Sequence, residues 1–266
     1  MTTYLGVCGW PVAHSRSPQM QNAALAAAGL ADWRYLRLPL PPELFEEAVR
    51  ALPAAGFRGV NVTIPHKHAA LALADEMTVA AQAIGAANTL TFEDGRIHAD
   101  NTDAPGLIAA IGERVDGRSV LVLGAGGAGR AVAWALRTAG AQVSVWNRTP
   151  ERATELAGEL GVRAVEVCGR ADIVVNCTSV GLESGEDPFK ALPIEADELS
   201  AGSLVVDLVY RAGGTQFLEA ARTRGARVID GLEVLVAQGA ASFERWTGLE
   251  APREAMRAAA TTIAIT

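Results

Sequence analysis

Lysine is the rarest charge in this chain. Of its 23 basic residues only Lys67 and Lys190 are lysines, and the other 21 are arginines. An arginine does not release its proton near neutrality, whereas a lysine amine can, so proton transfer by a side-chain amine has two addresses at most. Cysteine is also sparse. Cys8, Cys168 and Cys177 make an odd set without a C-x-x-C pair, the usage of a protein kept in a reducing cytoplasm. No uncharged run reaches 18 residues, so no transmembrane helix is expected. The opening MTTYLGVCGW has neither the basic nor the apolar stretch of a secretion signal. Positive charge is in deficit, with 23 Lys and Arg against 30 Asp and Glu for a net −7. That excludes general binding to nucleic acid or to an anionic membrane and leaves room only for a local basic pocket.

What is present is the material of a globular α/β protein. With 266 residues, half of them hydrophobic and a fifth charged, the chain suits one large domain or two modest ones. A chain of this length buries roughly 70–75% of its unfolded surface without disulfides. In the second half, short apolar runs rich in β-branched residues recur at Ser119–Leu123, Gln142–Trp146, Asp172–Asn176, Ser203–Asp207 and Ala226–Asp230, with a weaker one at Arg163–Val167. Each is too short for a typical helix and reads as a buried parallel strand. Helical stretches at Ala128–Ala139, Pro150–Leu160 and Thr215–Arg224 lie between several of them, the βαβ pattern of a doubly wound sheet covered on both faces. The acidic stretch Glu183–Ser200 reads as a loop.

The first hundred residues alternate less regularly. Strands are expected at Tyr4–Cys8, Trp33–Arg37, Arg58–Val62 and Thr89–Phe92, and helices at Pro18–Ala28, Pro42–Leu52 and His66–Asp75. Pro18, Pro42 and Pro65 suit first turns, where a missing N–H costs nothing. Two closing helices, Leu232–Trp246 and Pro252–Ile263, bring no strand of their own. They are expected to return to the first domain or to brace the domain junction.

Directly after the Ser119–Leu123 run stand Gly124, Gly126, Gly127 and Gly129. The spacing Gly124-x-Gly126-x-x-Gly129 puts one glycine at a tight turn, one where a pyrophosphate approaches the backbone, and one where helix and strand pack closely. The helix start that follows offers free N–H groups to phosphates. A strand before and a helix after give the motif its weight; a glycine-rich turn without ligand is the plainer alternative. The next strand ends in Asn147-Arg148-Thr149-Pro150-Glu151-Arg152. An NAD site usually carries an acidic residue here for the ribose 2′-hydroxyl, whereas Arg148 with Arg152 suits a 2′-phosphate. NADP is thus favoured over NAD, against the alternative that both arginines are ordinary surface charges.

Four clusters of small polar residues stand in the first domain. In GWPVAHSRSP, Ser15 and Ser17 would point to one side if extended and present two hydroxyls to one carboxylate; Ser17 would otherwise simply cap the helix begun by Pro18. In GVNVTIPHKH, Asn61 and Thr63 share a face at a strand end and Lys67 follows one turn into a helix, and strand C-terminal ends are where open α/β sheets take ligands. His66 and His68 diverge on a helix, and no further His or Cys stands at ligand spacing, so no metal is expected. Asn88 in AANT and Asp103 in DNTD complete the set, with turn satisfaction and helix capping as their plainer roles.

Ser15-x-Ser17-Pro18, Asn61-Val-Thr63-Ile-Pro65-His-Lys67, Gly85-Ala-x-Asn88-Thr89 and Asp100-Asn-Thr-Asp103 precede the glycine loop. Asn147-Arg148-Thr149, Asp207-x-x-Tyr210 and Gly231-Leu-Glu-Val-Leu-Val-Ala-Gln238 follow it. In this order the motifs resemble the shikimate dehydrogenases, nearly end to end. The resemblance implies reversible, NADP-linked reduction of 3-dehydroshikimate to shikimate in aromatic amino-acid biosynthesis, by a cytoplasmic monomer or homodimer. It also implies an α/β fold in which a Rossmann-type doubly wound parallel sheet, residues 104–237, is inserted into an α/β substrate-binding domain, residues 1–103 and 238–266, with a cleft between. Ser15 and Ser17 would hold the substrate carboxylate, and Thr63, Asn88, Asp103, Tyr210 and Gln238 its ring and hydroxyls. Lys67 and Asp103 would form the proton-transfer pair. Gly124, Gly126, Gly127, Gly129, Asn147, Arg148, Thr149, Arg152 and Gly231 would serve the cofactor. The residue chemistry agrees, because hydride delivery to a ketone leaves a developing alkoxide that a neighbouring cation stabilises and can protonate.

The chain departs from the family pattern at Gln21, Leu182, Ala212, Gln216, Val234 and Thr247. None removes a proposed catalytic group, but Ala212 and Gln216 replace both prolines of the run after Tyr210 and bear on the stiffness of that loop. The alternatives are a quinate/shikimate dehydrogenase with broader substrate or NAD use, and a non-catalytic metabolite-binding homologue. Glutamyl-tRNA reductase has a comparable NADP domain but needs a nucleophilic cysteine, and Cys8 lies inside an apolar strand.

Overall fold

The computed structural model describes residues 2–183, 185, 187–211 and 213–262. Ala212 and Ile263, which figure in the sequence reading, lie outside the described residues. The chain divides into two compact units, one made of Met1–Gly106 with Leu235–Thr266 and the other of Leu107–Val234.

The first unit begins with β1 (Thr3–Gly9), α1 (Ser17–Ala27), β2 (Trp33–Pro39), α2 (Phe45–Ala51), β3 (Phe57–Val62) and α3 (Lys67–Ala72). It continues with β4 (Glu76–Met77), α4 (Val79–Ile84), β5 (Thr89–Glu93), β6 (Arg96–Asp100) and the start of α5 (Asp103–Ile111). Six strands form one sheet in the order β2-β1-β3-β5-β6-β4. β1, β2 and β3 run parallel, β5 runs against both β3 and β6, and β4 is parallel to β6. The winding reverses between β1 and β3, so their C-terminal ends are the switch point at which open α/β sheets take ligands. Because β5 is antiparallel to β3, it starts at that same end: Asn61 stands opposite Thr89, and Thr89 opposite Asp100. Topology alone gathers the chain around Ser15, Thr63, Asn88 and Asp103 at one edge. Beneath it, Phe45, Val49, Ala70 and Leu73 bury Cys8, Val60, Val62, Leu90 and Phe92.

The second unit runs β7 (Ser119–Leu123), α6 (Gly127–Thr138), β8 (Gln142–Trp146), α7 (Pro150–Leu160), β9 (Arg163–Ala164) and β10 (Ile173–Asn176). α8 (Pro188–Ala191), β11 (Leu204–Asp207), α9 (Gln216–Thr223) and β12 (Arg227–Ile229) follow. Its six strands are all parallel, in the order β12-β11-β10-β7-β8-β9. This is the doubly wound dinucleotide-binding order, reversing between β7 and β10. Val120 and Val122 enter one core layer while Leu121 and Leu123 enter the other. A strand buried on both faces has no polar alternation, which is why these segments read as unbroken apolar runs.

The chain closes with α10 (Gly231–Thr247) and α11 (Arg253–Thr261). Of the two expectations for these helices, return to the first unit is the one found from Leu235 onward, and α11 packs along α1. Gln21 Nε2 donates to the Gly239 carbonyl at 2.9 Å and Trp246 Nε1 to the Leu90 carbonyl at 3.1 Å. A Cβ on Gly59 would lie 2.2 Å from Trp246 Nε1, so the indole requires glycine there. Among the described residues no helix is long and apolar enough to cross a membrane.

Several local expectations are corrected. Glu183–Ser200 is not all loop: Asp187 caps α8 through the Phe189 N–H, and Leu192, Ile194 and Leu199 are buried beyond it. The helix expected from His66 starts at Lys67, with Pro65 outside it and His66 at the cap position. The helix expected from Pro42 opens with a 3-10 turn, Pro42–Leu44, before α2. β4, β6 and α4 have no counterpart in the sequence reading. β6 buries only Ile97 and Ala99 and two of its five residues are charged, so it offers no apolar run, and α4 is announced mainly by Thr78, whose hydroxyl accepts from the Ala81 N–H.

Candidate active site

At the switch point of the first unit, Lys67 opens α3 and Asp103 opens α5. Lys67 Nζ donates to Asp103 Oδ2 at 2.6 Å, and the side chains are only 12% and 21% exposed. A carboxylate at a helix start is favoured by the helix dipole and an ammonium is not, so it is Asp103, rather than local preference, that holds Lys67 in place. Asp103 Oδ1 accepts from Asn88 Nδ2 at 2.8 Å. The orientation of that amide is fixed from behind, because the Thr102 backbone N–H, which can only donate, reaches Asn88 Oδ1 at 2.7 Å. Both carboxylate oxygens are therefore held, one by an amine that can release a proton and one by an amide that cannot.

Behind Asn88 lies a buried polar net that the sequence reading does not identify. Ser242 Oγ is 3.0 Å from both Thr89 Oγ1 and Thr102 Oγ1, and accepts from Asn61 Nδ2 at 2.9 Å. The Tyr35 hydroxyl donates to Asn61 Oδ1 at 2.8 Å. Asn61 is thus committed to the scaffold. Gln238, one helical turn before Ser242, accepts from Asn88 Nδ2 at 3.4 Å and donates to the Leu235 carbonyl at 2.8 Å. A Cβ on Gly106 would stand 2.7 Å from the Gln238 backbone, so glycine lets α5 and α10 approach here. The four-residue step from Gln238 to Ser242, which shares a helix face, was the available signal.

The serine turn differs from the extended form considered from sequence. Arg16 is helical and stands at the cap position, while Ser17 is the first residue of α1. The Ser17 N–H donates to Ser15 Oγ at 3.3 Å, so Ser17 begins the helix rather than capping it, and both side chains are buried. Thr63 follows β3, its N–H donating to the Cys8 carbonyl at 2.9 Å. A Cβ on Gly9 would meet Thr63 Cγ2 at 2.4 Å, so Gly9 admits the threonine. His66 stacks on Phe45 at 4.2 Å with Nε2 against the Leu40 carbonyl, and His68 Nδ1 faces the Gly85 carbonyl. Both imidazoles have scaffold partners.

In the second unit the glycine loop fits a pyrophosphate. Gly124 takes φ +108°, a left-handed conformation that favours glycine. A Cβ on Gly129 would fall 1.9 Å from the Gly124 carbonyl oxygen, whereas one on Gly126 would meet nothing within 4 Å. Gly126 caps α6 and Gly127 is its first residue, so the open side of the loop faces the free N–H groups of a helix start. Asn147 ties this loop to the turn after β8: its Oδ1 accepts from the Ala125 N–H at 3.0 Å and its Nδ2 donates to the Thr149 carbonyl at 2.9 Å. Arg148 and Arg152 flank that turn, exposed and without an ion pair among the described residues. Gly231 has a packing role of its own, since a Cβ there would stand 2.5 Å from the Leu208 carbonyl oxygen.

Beyond β11, Tyr210 is half-buried. The chain around it is anchored by Asp207, which accepts from Thr215 Oγ1 at 2.6 Å, Asn176 Nδ2 at 2.9 Å and the Val209 N–H at 3.1 Å. Burial pushes the Cys8 thiol up to about 12 and, with Glu198 nearby, Cys168 to about 11, so neither supplies a thiolate nucleophile.

Three family models match. They are the shikimate dehydrogenase substrate binding domain over residues 7–90, the shikimate / quinate 5-dehydrogenase over 107–181, and the shikimate 5'-dehydrogenase C-terminal domain over 231–261. The chain is 46% identical over 258 residues to a shikimate dehydrogenase (NADP(+)) of Paracoccus denitrificans, covering 91% of this chain and 90% of the relative. It is 50% identical over 248 residues to a shikimate dehydrogenase (NADP(+)) of Thermus thermophilus, covering 91% and 92%. The crystal structure of a Thermus thermophilus shikimate 5-dehydrogenase in complex with NADP(H) and shikimate matches with a TM-score of 0.89 at 45% identity, over 97% of this chain and 98% of the other.

Proposed function

We propose, from the premise that this chain belongs to the shikimate dehydrogenase family, that it interconverts 3-dehydroshikimate and shikimate with NADP(H) as its cofactor. The observation that carries the reading is the 2.6 Å contact between Lys67 Nζ and Asp103 Oδ2 at the strand ends of the first unit. That unit takes the hydroxy-acid substrate, and the second unit takes the dinucleotide. Ser15 and Ser17 hold the substrate carboxylate, and Thr63, Asn88 and Gln238 its ring hydroxyls. Gly124, Gly126, Gly127 and Gly129 receive the pyrophosphate, aided by Asn147, Thr149 and Gly231, and Arg148 with Arg152 receives the 2′-phosphate. When bound, the reduced nicotinamide supplies a hydride to the ketone carbon.

The chain's own part is charge and proton management. In reduction the Lys67 ammonium faces the carbonyl oxygen, stabilises the negative charge that develops there and delivers a proton to it. In oxidation the neutral amine takes that proton back. Asp103 keeps the amine aligned through Oδ2 and accepts a substrate hydroxyl hydrogen, while Asn88 holds its other oxygen. A binding protein has no need of an exchangeable proton beside a carboxylate, which favours catalysis over mere metabolite binding. Three free thiols and a net charge of −7 support a cytoplasmic enzyme acting on a small molecule rather than on nucleic acid. The test is spectrophotometric. NADPH is consumed with 3-dehydroshikimate, and NADP⁺ is reduced with shikimate in preference to quinate; equal rates with quinate, or with NAD⁺ in place of NADP⁺, would move the chain to the broader quinate/shikimate class.

A further inference from the structure

The serine turn offers two neutral hydroxyls to an anion, and neutral hydroxyls give direction without compensating charge. Two cations of the same unit are committed to other partners: Lys67 to Asp103 at 2.6 Å, and Arg16 Nη1 to the Ala260 carbonyl at 2.7 Å. Arg37 is different. It lies on β2, two residues after Tyr35 and so on the same sheet face. Its Nη2 and Nε donate to the Ser15 carbonyl at 2.9 and 3.3 Å. A guanidinium has five N–H donors, so this contact leaves others unspent. The side chain is exposed and enters no ion pair among the described residues. An uncompensated positive charge is thus fastened to the peptide of one of the two serines.

We propose that Arg37 is a specificity-determining residue, lending the serine turn the positive potential that selects a carboxylate-bearing substrate over its neutral counterpart. This rests on the reading that Ser15 and Ser17 receive the carboxylate. Arg37 does not act on the carbon that exchanges hydride, so its effect falls on KM rather than on kcat. Opposite charges several ångströms apart, at an effective permittivity of about 20–80, favour association by roughly 3- to 50-fold. At this exposure the effect shrinks as salt is added.

The experiment compares wild type, Arg37→Gln and Arg37→Lys with shikimate and with its carboxamide, at low and high ionic strength. Arg37→Gln should raise KM for shikimate about 3- to 50-fold at low salt, with kcat within about twofold and KM for the carboxamide nearly unchanged. Arg37→Lys should recover most of the loss, and salt should narrow the gap. Equal loss with carboxylate and carboxamide would overturn the proposal, leaving Arg37 a scaffold contact. Ser15→Ala, measured alongside, separates the two readings. If it raises KM for shikimate while Arg37→Gln does not discriminate, only Arg37's role falls; if Ser15→Ala leaves KM unchanged, the serine turn is not the carboxylate site and both fall.

Discussion

Lys67 combines the one function an arginine could not perform with a position that local preference does not favour, and that combination marks it for chemistry. Lys67→Ala should lower kcat by about 10²–10⁴-fold, the usual worth of a positioned acid–base group, with NADPH affinity preserved because the glycine loop belongs to the other unit. Steady-state rates and NADPH fluorescence titration check this; near-normal turnover would remove Lys67 from its role. The melting temperature is measured with it, since removing one member of a mostly buried pair leaves Asp103 without its cation. Arg148 makes a second residue-level case. Its guanidinium is exposed beside the turn that Asn147 ties to the glycine loop. A charge-assisted hydrogen bond to a 2′-phosphate is worth about 1.5–3 kcal/mol, so Arg148→Ala should raise Kd for NADPH by roughly tenfold or more and leave NADH unaffected. Equal losses for both dinucleotides would refute the clamp.

At the scale of elements, the ends of β10 and β11 are joined by a fully buried carboxyl. Burial outweighs the hydrogen bonds from Thr215, Val209 and Asn176 and pushes Asp207 up to about 6 from an ordinary 3.8. The folded state therefore keeps a proton that the unfolded chain has already released between those two values. The contribution of Asp207 to stability is full below about pH 3.8 and is lost as pH rises through about 6. Asp207→Asn preserves the shape: the amide oxygen still accepts from Asn176 and Val209, and the Thr215 hydroxyl can turn to accept from the amide. The melting temperature of the variant should match wild type near pH 4 and exceed it by about 5 °C at pH 7. A difference that stays constant with pH would show that this carboxyl does not change its charge in that range. Element by element, legibility follows burial. The parallel strands β7, β10 and β11 bury both faces and are readable nearly to the residue from their apolar runs, and β8, which alternates in burial, is readable because it carries no charge. β6, with the same alternation but Arg96, His98 and Asp100 on its less buried face, is not. Of the site, Lys67, Asn88 and Asp103 are legible because each motif is local. Ser242, Thr102 and Tyr35 are not, because their worth lies in contacts across as many as 181 positions, the separation between Asn61 and Ser242.

For the molecule as a whole, the decisive fact of connectivity is that the first unit is finished only by the last residues of the chain. Phe243, Trp246 and Met256 are buried in it, Trp246 lies 6.3 Å from the Tyr35 ring, and Gly239 gives Met20 its room. Burying each such side chain contributes about 1.5–3 kcal/mol, so the three together approach the whole net stability of an ordinary domain, about 5–15 kcal/mol. Without α10 and α11, the Asn61 amide and the Thr89 and Thr102 hydroxyls also lose Ser242 and keep only their contacts around Asn88, which loosens the net that orients that amide. The second unit, ending at Val234, keeps its six strands and its glycine loop. A chain cut after Val234 should therefore lose shikimate oxidation and shikimate binding completely, yet bind NADPH with an affinity within a few-fold of the intact protein. Circular dichroism would show roughly half the ordered structure melting cooperatively, and NADPH fluorescence would report the retained site. Shikimate binding by the truncated chain would mean that the first unit folds without its closing helices, and the dependence of the Asn88–Asp103 arrangement on Ser242 and Gln238 would have to be abandoned.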